Sequence, residues 1–257
     1  MPSNKPTAYA TEQFFRTPPE LPWLELRTSL HSVLPYAPHF HSSLSVGMIL
    51  EGRTAFGCPH ETHIAASGDI VLMEPGLAHS CNPLDNAARS YHMLHVETAW
   101  LRLQGLADSE AFSLRRRVVK NPGLFARLCH IADAVQSNDI SGRMAVELAE
   151  ILVALLEGNL VPEQTIKEPE LLRRKSALSR EAFIRAFRRA SGLPPARHSH
   201  LKRLEEARRL LKAGVEISEA ALASGHSDQS HLHRAFVRYY AATPGQYRKN
   251  RSLSYKK

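Results

Sequence analysis

Histidines crowd one stretch of the chain: His39, His41, His60, His63, His79, His92 and His95. Imidazole can ligate a metal, carry a proton or line a polar pocket. His39 and His41 are two apart, so in a strand they would share a face. His79 follows the Pro75-Gly76 turn. Three imidazoles could hold an ion. However, the first carboxylate after His41 is Glu51, and no Cys/His spacing marks a closed site. The favoured reading is an effector pocket lined by His39, His41 and His79, with no metal and no cofactor. No Ser-His-Asp set or carboxylate pair supports chemistry, so no catalytic residue is assigned and no enzyme is expected. Cys58, Cys81 and Cys129 lack redox spacing, and their odd number argues against a disulfide framework.

The second chemical feature is charge. Among 257 residues with a net charge of +8, the span from Glu168 to Lys257 holds 20 Lys+Arg against 8 Asp+Glu, a net of +12. Residues 1–167 carry a net of −4. A basic C-terminal third suits a polyanion, and nucleic acid is favoured over a membrane surface because the charges are spread over short helices. No apolar run approaches the ~18 residues of a membrane span, and the N-terminus lacks a basic-then-apolar leader. A soluble cytoplasmic protein is expected.

The elements that must position these residues differ between the two halves. Leu44, Val46, Met48 and Leu50 alternate with period two, giving a strand with one buried face. Thr54-Ala55-Phe56, Ile70-Val71-Leu72-Met73 (apolar on both faces) and Tyr91 to Val96 are further strands, punctuated by Gly52, Gly68-Asp69 and Pro75-Gly76. Short strands with such turns imply an antiparallel barrel or sandwich able to hold one small ligand. Asn121-Pro122 then opens a helix carrying Leu124, Leu128, Ile131 and Val135. Ser137-Asn138-Asp139 interrupts it. A second helix carries Met144, Val146, Leu148, Ile151, Leu152, Leu155 and Leu156, an apolar arc wide enough to serve the barrel and a second subunit. The span Gly158–Pro169 reads as a linker.

The basic third repeats itself. Phe183-Ile184-Arg185-Ala186-Phe187-Arg188-Arg189 matches Leu232-His233-Arg234-Ala235-Phe236-Val237-Arg238 at an offset of 49, and Pro195 falls on Pro244. Two copies of one helical unit are implied. In the second copy, a short helix over 217–223 meets Ser224-Gly225-His226-Ser227, and Ser227 or Asp228 caps the next helix. This is helix-turn-helix grammar. Leu232, Ala235 and Phe236 should face the core. Gln229, Ser230, His233 and Val237 should face a groove, with Arg234 and Arg238 meeting phosphate or local carboxylates. In the first copy Ser179 caps, Phe183, Ala186 and Phe187 are core, and Arg180, Glu181, Ile184 and Arg188 point outward. Leu201, Leu204, Ala207, Leu210 and Leu211 stripe a connecting helix otherwise covered by Lys202, Arg203, Arg208, Arg209 and Lys212. The DNA-contacting set is thus Ser179, Arg180, Glu181, Ile184, Arg188, Gln229, Ser230, His233, Arg234 and Arg238, on recognition helices at about 179–190 and 228–239.

The run Gly225 to Phe236, followed by Thr243-Pro244-Gly245-Gln246-Tyr247-Arg248, resembles the C-terminal signature of the AraC/XylS family of bacterial transcription regulators. Leu178-Ser179-Arg180, Arg185-Ala186-Phe187 and Gly192-Leu193-Pro194-Pro195 look like its first motif, and Arg203 to Leu211 like its linker helix. His39, His41, Gly47, Gly52, Gly68-Asp69, Pro75-Gly76 and His79 are similar to its cupin-like sensing domain. The resemblance covers about 210 of the 257 residues. It implies an α+β chain: an N-terminal cupin-like antiparallel β-barrel, then helices, then an all-α domain with two helix-turn-helix motifs. It also implies an effector-responsive regulator, more an activator than a repressor. Such proteins are usually dimers, bind double-stranded promoter DNA and contact RNA polymerase. The expected division is 1–118 for sensing, 119–160 for a helical linker and dimerisation, and 168–250 for DNA binding.

Three positions depart from the pattern. His226 stands where the second motif usually has Phe, Ser176 where a turn glycine would match Gly225, and His198 where Tyr is usual. The lead-in before Glu170 is also short, with two prolines. These departures point to DNA contact resting on the second motif and the connecting helix. Two rival functions are a cupin-like metal-dependent enzyme with an accessory basic domain, and an effector-independent repressor or architectural DNA-binding protein.

Overall fold

The structure is a computed structural model and describes residues 12–59, 61–106, 112–161 and 179–252. Its first part is built of strands β1 (Glu12–Arg16), β2 (Leu24–Ser32), β3 (Leu44–Glu51), β4 (Arg53–Cys58), β5 (Glu61–Ala66), β6 (Ile70–Met73), β7 (Ser80–Pro83) and β8 (Arg89–Val96). Helix α1 (Thr98–Leu103) and short strands β9 (Ser113–Leu114) and β10 (Val118–Val119) follow. The strands form a six-stranded sheet in the order β1-β2-β8-β3-β6-β10 and a three-stranded sheet β5-β4-β7, with antiparallel pairing.

The expected barrel is not closed. Among the described residues a lone bridge joins the stretch before β3 to the stretch before β7. His39 N donates to His79 O at 2.9 Å and His79 N to His39 O at 2.7 Å. The strand of period two is buried on both faces rather than one. Leu44, Val46 and Met48 enter a core with Ile70, Leu72, Leu94 and Val96, while Ile49 joins Val71, Met73, Phe56 and Tyr91 on the other side. Two apolar layers thus lie on opposite faces of one sheet, as the two-sided β6 requires.

The first layer is completed by α2 (Pro122–Ser137) and α3 (Gly142–Leu156). Asn121 caps α2 by accepting from Leu124 N, with Pro122 at the first helical position, and Ser141 caps α3 by accepting from Met144 N. Asn138 turns the chain between them in the left-handed region. Leu128, Ile131, Val135, Leu148, Ile151 and Leu152 pack on the sheet, whereas Val146 is 60% exposed. Strand β11 (Leu160–Val161) then pairs with β9.

The second part comprises α4 (Arg180–Ser191), α5 (Pro195–Lys212), α6 (Ile217–Ala223), α7 (Gln229–Tyr240) and α8 (Pro244–Ser252). Its core is the stripe of α5, namely Leu201, Leu204, Ala207 and Leu211, packed on Ala220, Ala221, Leu232, Phe236, Tyr239, Tyr240 and Tyr247. Phe15, Phe40 and Ala78 of the first part enter the same cluster, so the two parts share apolar surface. Gly192 ends α4 at φ 75°, and a Cβ there would lie 2.5 Å from Pro59 Cγ and 2.9 Å from Ala78 Cβ. Only glycine permits both that dihedral and that approach. Residues 162–178, including Ser176, Leu178 and most of the linker, lie outside the described residues, as does His60.

Candidate functional site

The second repeat folds as its grammar requires. Helix α6 ends at Ser224, Gly225 turns at φ 78°, and Asp228 caps α7 by accepting from His231 N at 2.7 Å. Arg203 Nη1 donates to Gly225 O at 3.2 Å, and a Cβ at Gly225 would meet Arg203 Cδ at 3.2 Å, so the connecting helix braces the turn. Leu232, Ala235 and Phe236 are buried. Gln229, Ser230, His233, Arg234, Val237 and Arg238 all face solvent on α7.

In the first repeat Ser179 accepts from Ala182 N and caps α4. Arg180, Glu181, Ile184 and Arg188 are exposed, and Phe183 and Phe187 are buried. The structure therefore groups the ten proposed DNA contacts as two exposed helix faces and does not bring any of them to the histidines. Ala186 is half-buried.

His226 is 3% exposed. Its Nδ1 shares a 2.9 Å hydrogen bond with Ser224 Oγ, while its Nε2 has no partner. Burial, then the nearby His231, His200 and Arg203, pushes the ring down to about 4. His198 fills its position by packing between Phe40 and Phe187, at 4.8 Å and 5.4 Å between ring centres.

His39, His41 and His79 come together, all buried, each offering a ring nitrogen within 4.8 Å of the others. His39 Nδ1 donates to Ala37 O and His79 Nδ1 to Leu77 O, both at 2.8 Å. Burial pushes His41 down to about 3 and His79 to about 4, and holds His39 well below its ordinary value. Uncharged imidazoles are the ligand form for a metal. His95 lies against His41 at 4.8 Å and shares a hydrogen bond with Ser45 Oγ. His92 instead bonds Thr28 and pairs with Asp133. A second candidate group, Cys58, Glu61 and His63, has its carboxylate engaged by Arg117. A cleft of about 610 Å3 lies beside that group, lined by His63, Ile64, Arg116, Val118 and Lys120 and by none of His39, His41 or His79.

Sequence reasoning missed the residues that join the two parts. Arg208 was expected to cover the outside of α5, but its side chain is only 14% exposed and faces Glu25 Oε1 at 3.7 Å and Glu205 Oε1 at 3.8 Å. Burial alone would lower the Arg208 guanidinium, but Glu205 and Glu25 hold it well above its ordinary value. Burial alone would raise Glu205, but Arg208, His41 and Tyr240 hold it well below the usual carboxylate range. Arg27 donates to Tyr240 O at 2.6 Å and Gln13 to Ala241 O at 2.7 Å. Ser42 donates to Glu205 Oε2 from both its backbone N (3.2 Å) and Oγ (3.0 Å), and Tyr240 donates its hydroxyl to Oε1. The alternating Leu24-Glu25-Leu26-Arg27 was the available signal: two charges on one side of the strand, opposite two leucines.

Comparison with known proteins agrees with this architecture. Residues 172–250 match the model of a helix-turn-helix domain, and residues 31–152 match that of an AraC-like ligand binding domain. YbfI of Bacillus subtilis (strain 168), an HTH-type transcriptional regulator, is 26% identical over 225 residues, covering 76% of this chain and 80% of that protein. The HTH-type transcriptional regulator MtrA of Neisseria gonorrhoeae is 37% identical over 73 residues, 28% of this chain and 24% of its own. The fold resembles crystalline ToxT from Vibrio cholerae O395 (TM-score 0.59, 12% identity, 89% of this chain and 98% of that one). The strand-built first part, the helix-turn-helix of α6 and α7 and the matched models together place this chain in the AraC/XylS family of transcription regulators.

Proposed function

We propose that the chain is a sequence-specific DNA-binding transcription regulator that responds to a small effector and acts as an activator. The observation that carries this reading is the exposed polar face of α7, presented by a glycine turn and an aspartate cap. A helix so held can enter a major groove with its N-terminal residues at base edges. Gln229 and Ser230 sit there, suited to base contact, and Arg234 and Arg238 further along, suited to phosphate. On α4 the corresponding set is Ser179, Arg180, Glu181, Ile184 and Arg188. The net charge of +12 over residues 168–257 supports polyanion binding.

The reading divides the chain into sensing (1–118), helical linker and dimerisation (119–160) and DNA binding (168–250). A homodimer on promoter DNA, contacting RNA polymerase from a cytoplasmic, nucleoid-associated position, is the working assembly. Family membership favours regulation over catalysis, and we assign the chain no enzymatic role. A small-molecule effector is supported by the ligand-binding model and by the ToxT crystal structure with an unsaturated fatty acid bound. The test is selection of bound fragments from random duplex DNA by the purified protein, at near-physiological salt with excess competitor. Enrichment of a defined site is expected, and its length reports whether one or both motifs read bases. Salt-sensitive binding without enrichment, with and without a metabolite panel, would overturn the reading.

A further inference from the structure

The tip of the β4–β5 hairpin gathers a thiol, a carboxylate and an imidazole within the six residues from Cys58 to His63. Cys58 pairs with Glu61 across the hairpin, so the two share a face. His63 lies two positions further along β5 and points to that same face. Phe56, its cross-strand partner, stacks on the ring at 5.9 Å. The Cys58 thiol donates to Glu61 Oε1 at 3.7 Å, and His63 Nε2 lies 3.1 Å from Glu61 Oε2. That nitrogen is buried and makes no hydrogen bond among the described residues. One ligand atom from each residue lies within 4.8 Å of the other two. A tetrahedral zinc holds a thiolate about 3.6 Å, and an imidazole nitrogen about 3.4 Å, from a carboxylate oxygen. The observed spacings therefore need little adjustment to take an ion. Arg117 does not fill the site. Its Nε and Nη2 engage Glu74, which is 4% exposed, and only Nη1 reaches Glu61. Two carboxylates thus outnumber one guanidinium. A dication that displaces the thiol proton to solvent brings thiolate, carboxylates, guanidinium and ion to charge balance.

We propose that Cys58, Glu61 and His63 bind one thiophilic divalent ion of the zinc, cobalt or cadmium class, with Arg117 holding the carboxylate from outside. A sulfur, an imidazole and a carboxylate select such ions over magnesium and calcium. Three protein ligands leave a fourth position open, and His63 lines the adjoining cleft, which gives the ion a path from solvent. The hairpin tip also touches the helical part. Pro59, inside the chelate ring from Cys58 to Glu61, is what a Cβ at Gly192 would strike, and Gly192 ends α4. Closing the chelate around Pro59 stiffens the contact between the sensing part and the first repeat.

The ion would then be the regulator's effector, a consequence that rests on the DNA-binding reading, whereas the site does not. The closing experiment therefore has two separate readouts. Full-length protein, reduced and stripped with chelator, is titrated with Co2+ and then with Zn2+. A thiolate-to-cobalt charge-transfer band should appear and be erased by Zn2+. It reports sulfur alone, so the cluster of His39, His41 and His79 cannot produce it. Cys58→Ser should abolish the band, and Cys81→Ser and Cys129→Ser should keep it. Glu61→Gln and His63→Gln retain the sulfur and should keep the band at saturation, with Co2+ affinity lowered by at least the roughly tenfold that loss of even an outer partner produces. Thermal unfolding identifies any misfolded variant, and the folded members of the set decide. Absence of the band, its survival in folded Cys58→Ser, or Co2+ affinity equal in the wild type and folded His63→Gln or Glu61→Gln would overturn the site. DNA affinity is then measured at a Zn2+ concentration that loads only the wild type. A shift in the wild type that is absent in His63→Gln is expected. No shift would overturn the ion as effector and leave the site standing. Absence of any selective DNA binding would overturn the regulator reading and leave the titration standing.

Discussion

Tyr247 donates its hydroxyl to Glu25 Oε2 at 2.6 Å, linking positions 222 apart in sequence. Glu25 is 2% exposed and also faces Arg208, so one carboxylate in β2 answers two groups from the helical part. Removing the donor in Tyr247→Phe should cost about 1.5–3 kcal/mol, the value of a hydrogen bond to a charged group. Glu25→Ala should cost more, about 3–5 kcal/mol, because it removes a partner of the largely buried Arg208. The double mutant should lose less than the sum. Urea unfolding of the four proteins tests this, and strict additivity would show that the contact carries no coupling.

The two exposed recognition faces should not weigh equally. The second motif has its glycine turn, its Asp228 cap and the Arg203 brace, whereas the first has Ser176 at the matching turn position. Gln229→Ala should cost about 1–3 kcal/mol of site-specific affinity and relax selectivity at one base. Arg234→Ala should weaken binding to all sequences and lower the salt slope by about one. The pair Arg180→Ala and Arg188→Ala should cost little. Electrophoretic binding curves on a selected site at several salt concentrations separate these cases, and equal losses from both motifs would sink the ranking.

Legibility followed the range of the interactions. Caps, turns and helical stripes are local, so Asn121, Ser179, Asp228, Gly225 and the α5 stripe could be read from neighbours in sequence. Strand β2 could not, because it is mostly polar in sequence although largely buried, and its Glu25 and Arg27 find their partners at Arg208, Tyr240 and Tyr247. Arg208 was misplaced for the same reason: on a basic helix nothing local separates an arginine facing solvent from one facing two buried carboxylates. The histidine cluster was half legible. The spacing of His39 and His41 placed them together, but the proximity of Glu205 arises only when α5 packs on the sensing part.

His226 should make the second motif sensitive to acid. Its folded value of about 4 lies below the ordinary 6.5. The stability its neutral ring permits is therefore fully present above 6.5 and lost as pH falls through about 4, since the unfolded chain takes up the proton first. Phe at this position removes both the titration and the unpartnered Nε2, and Ser224 Oγ keeps its bond to Ala220 O. His226→Phe should thus gain stability relative to the wild type as pH is lowered from 6.5 to 4.5. Unfolding midpoints across that range check it; a difference that does not change with pH would refute the assignment to His226.

Helix α3 offers a sharper test of the proposed dimer. Its buried residues Leu148, Ile151, Leu152, Leu155 and Leu156 are spent on the sensing sheet, so they are not free to face a second subunit. What remains exposed on the outer side is Val146; Val153, seven positions on, is half-buried against the same core and offers only its outer edge. Two valines on one face, two turns apart, can form a narrow seam between antiparallel or parallel copies of α3, with Glu150 between them. Burying an exposed valine is worth about 1.5–3 kcal/mol, and a two-fold contact counts each one twice. Val146→Glu puts a carboxylate at that seam in both copies. The monomer should stay folded, because this side chain is already exposed, and the dimer dissociation constant should rise by at least tenfold. Sedimentation equilibrium of the wild type and variant measures it. A dimer that tolerates the carboxylate would move the interface away from α3.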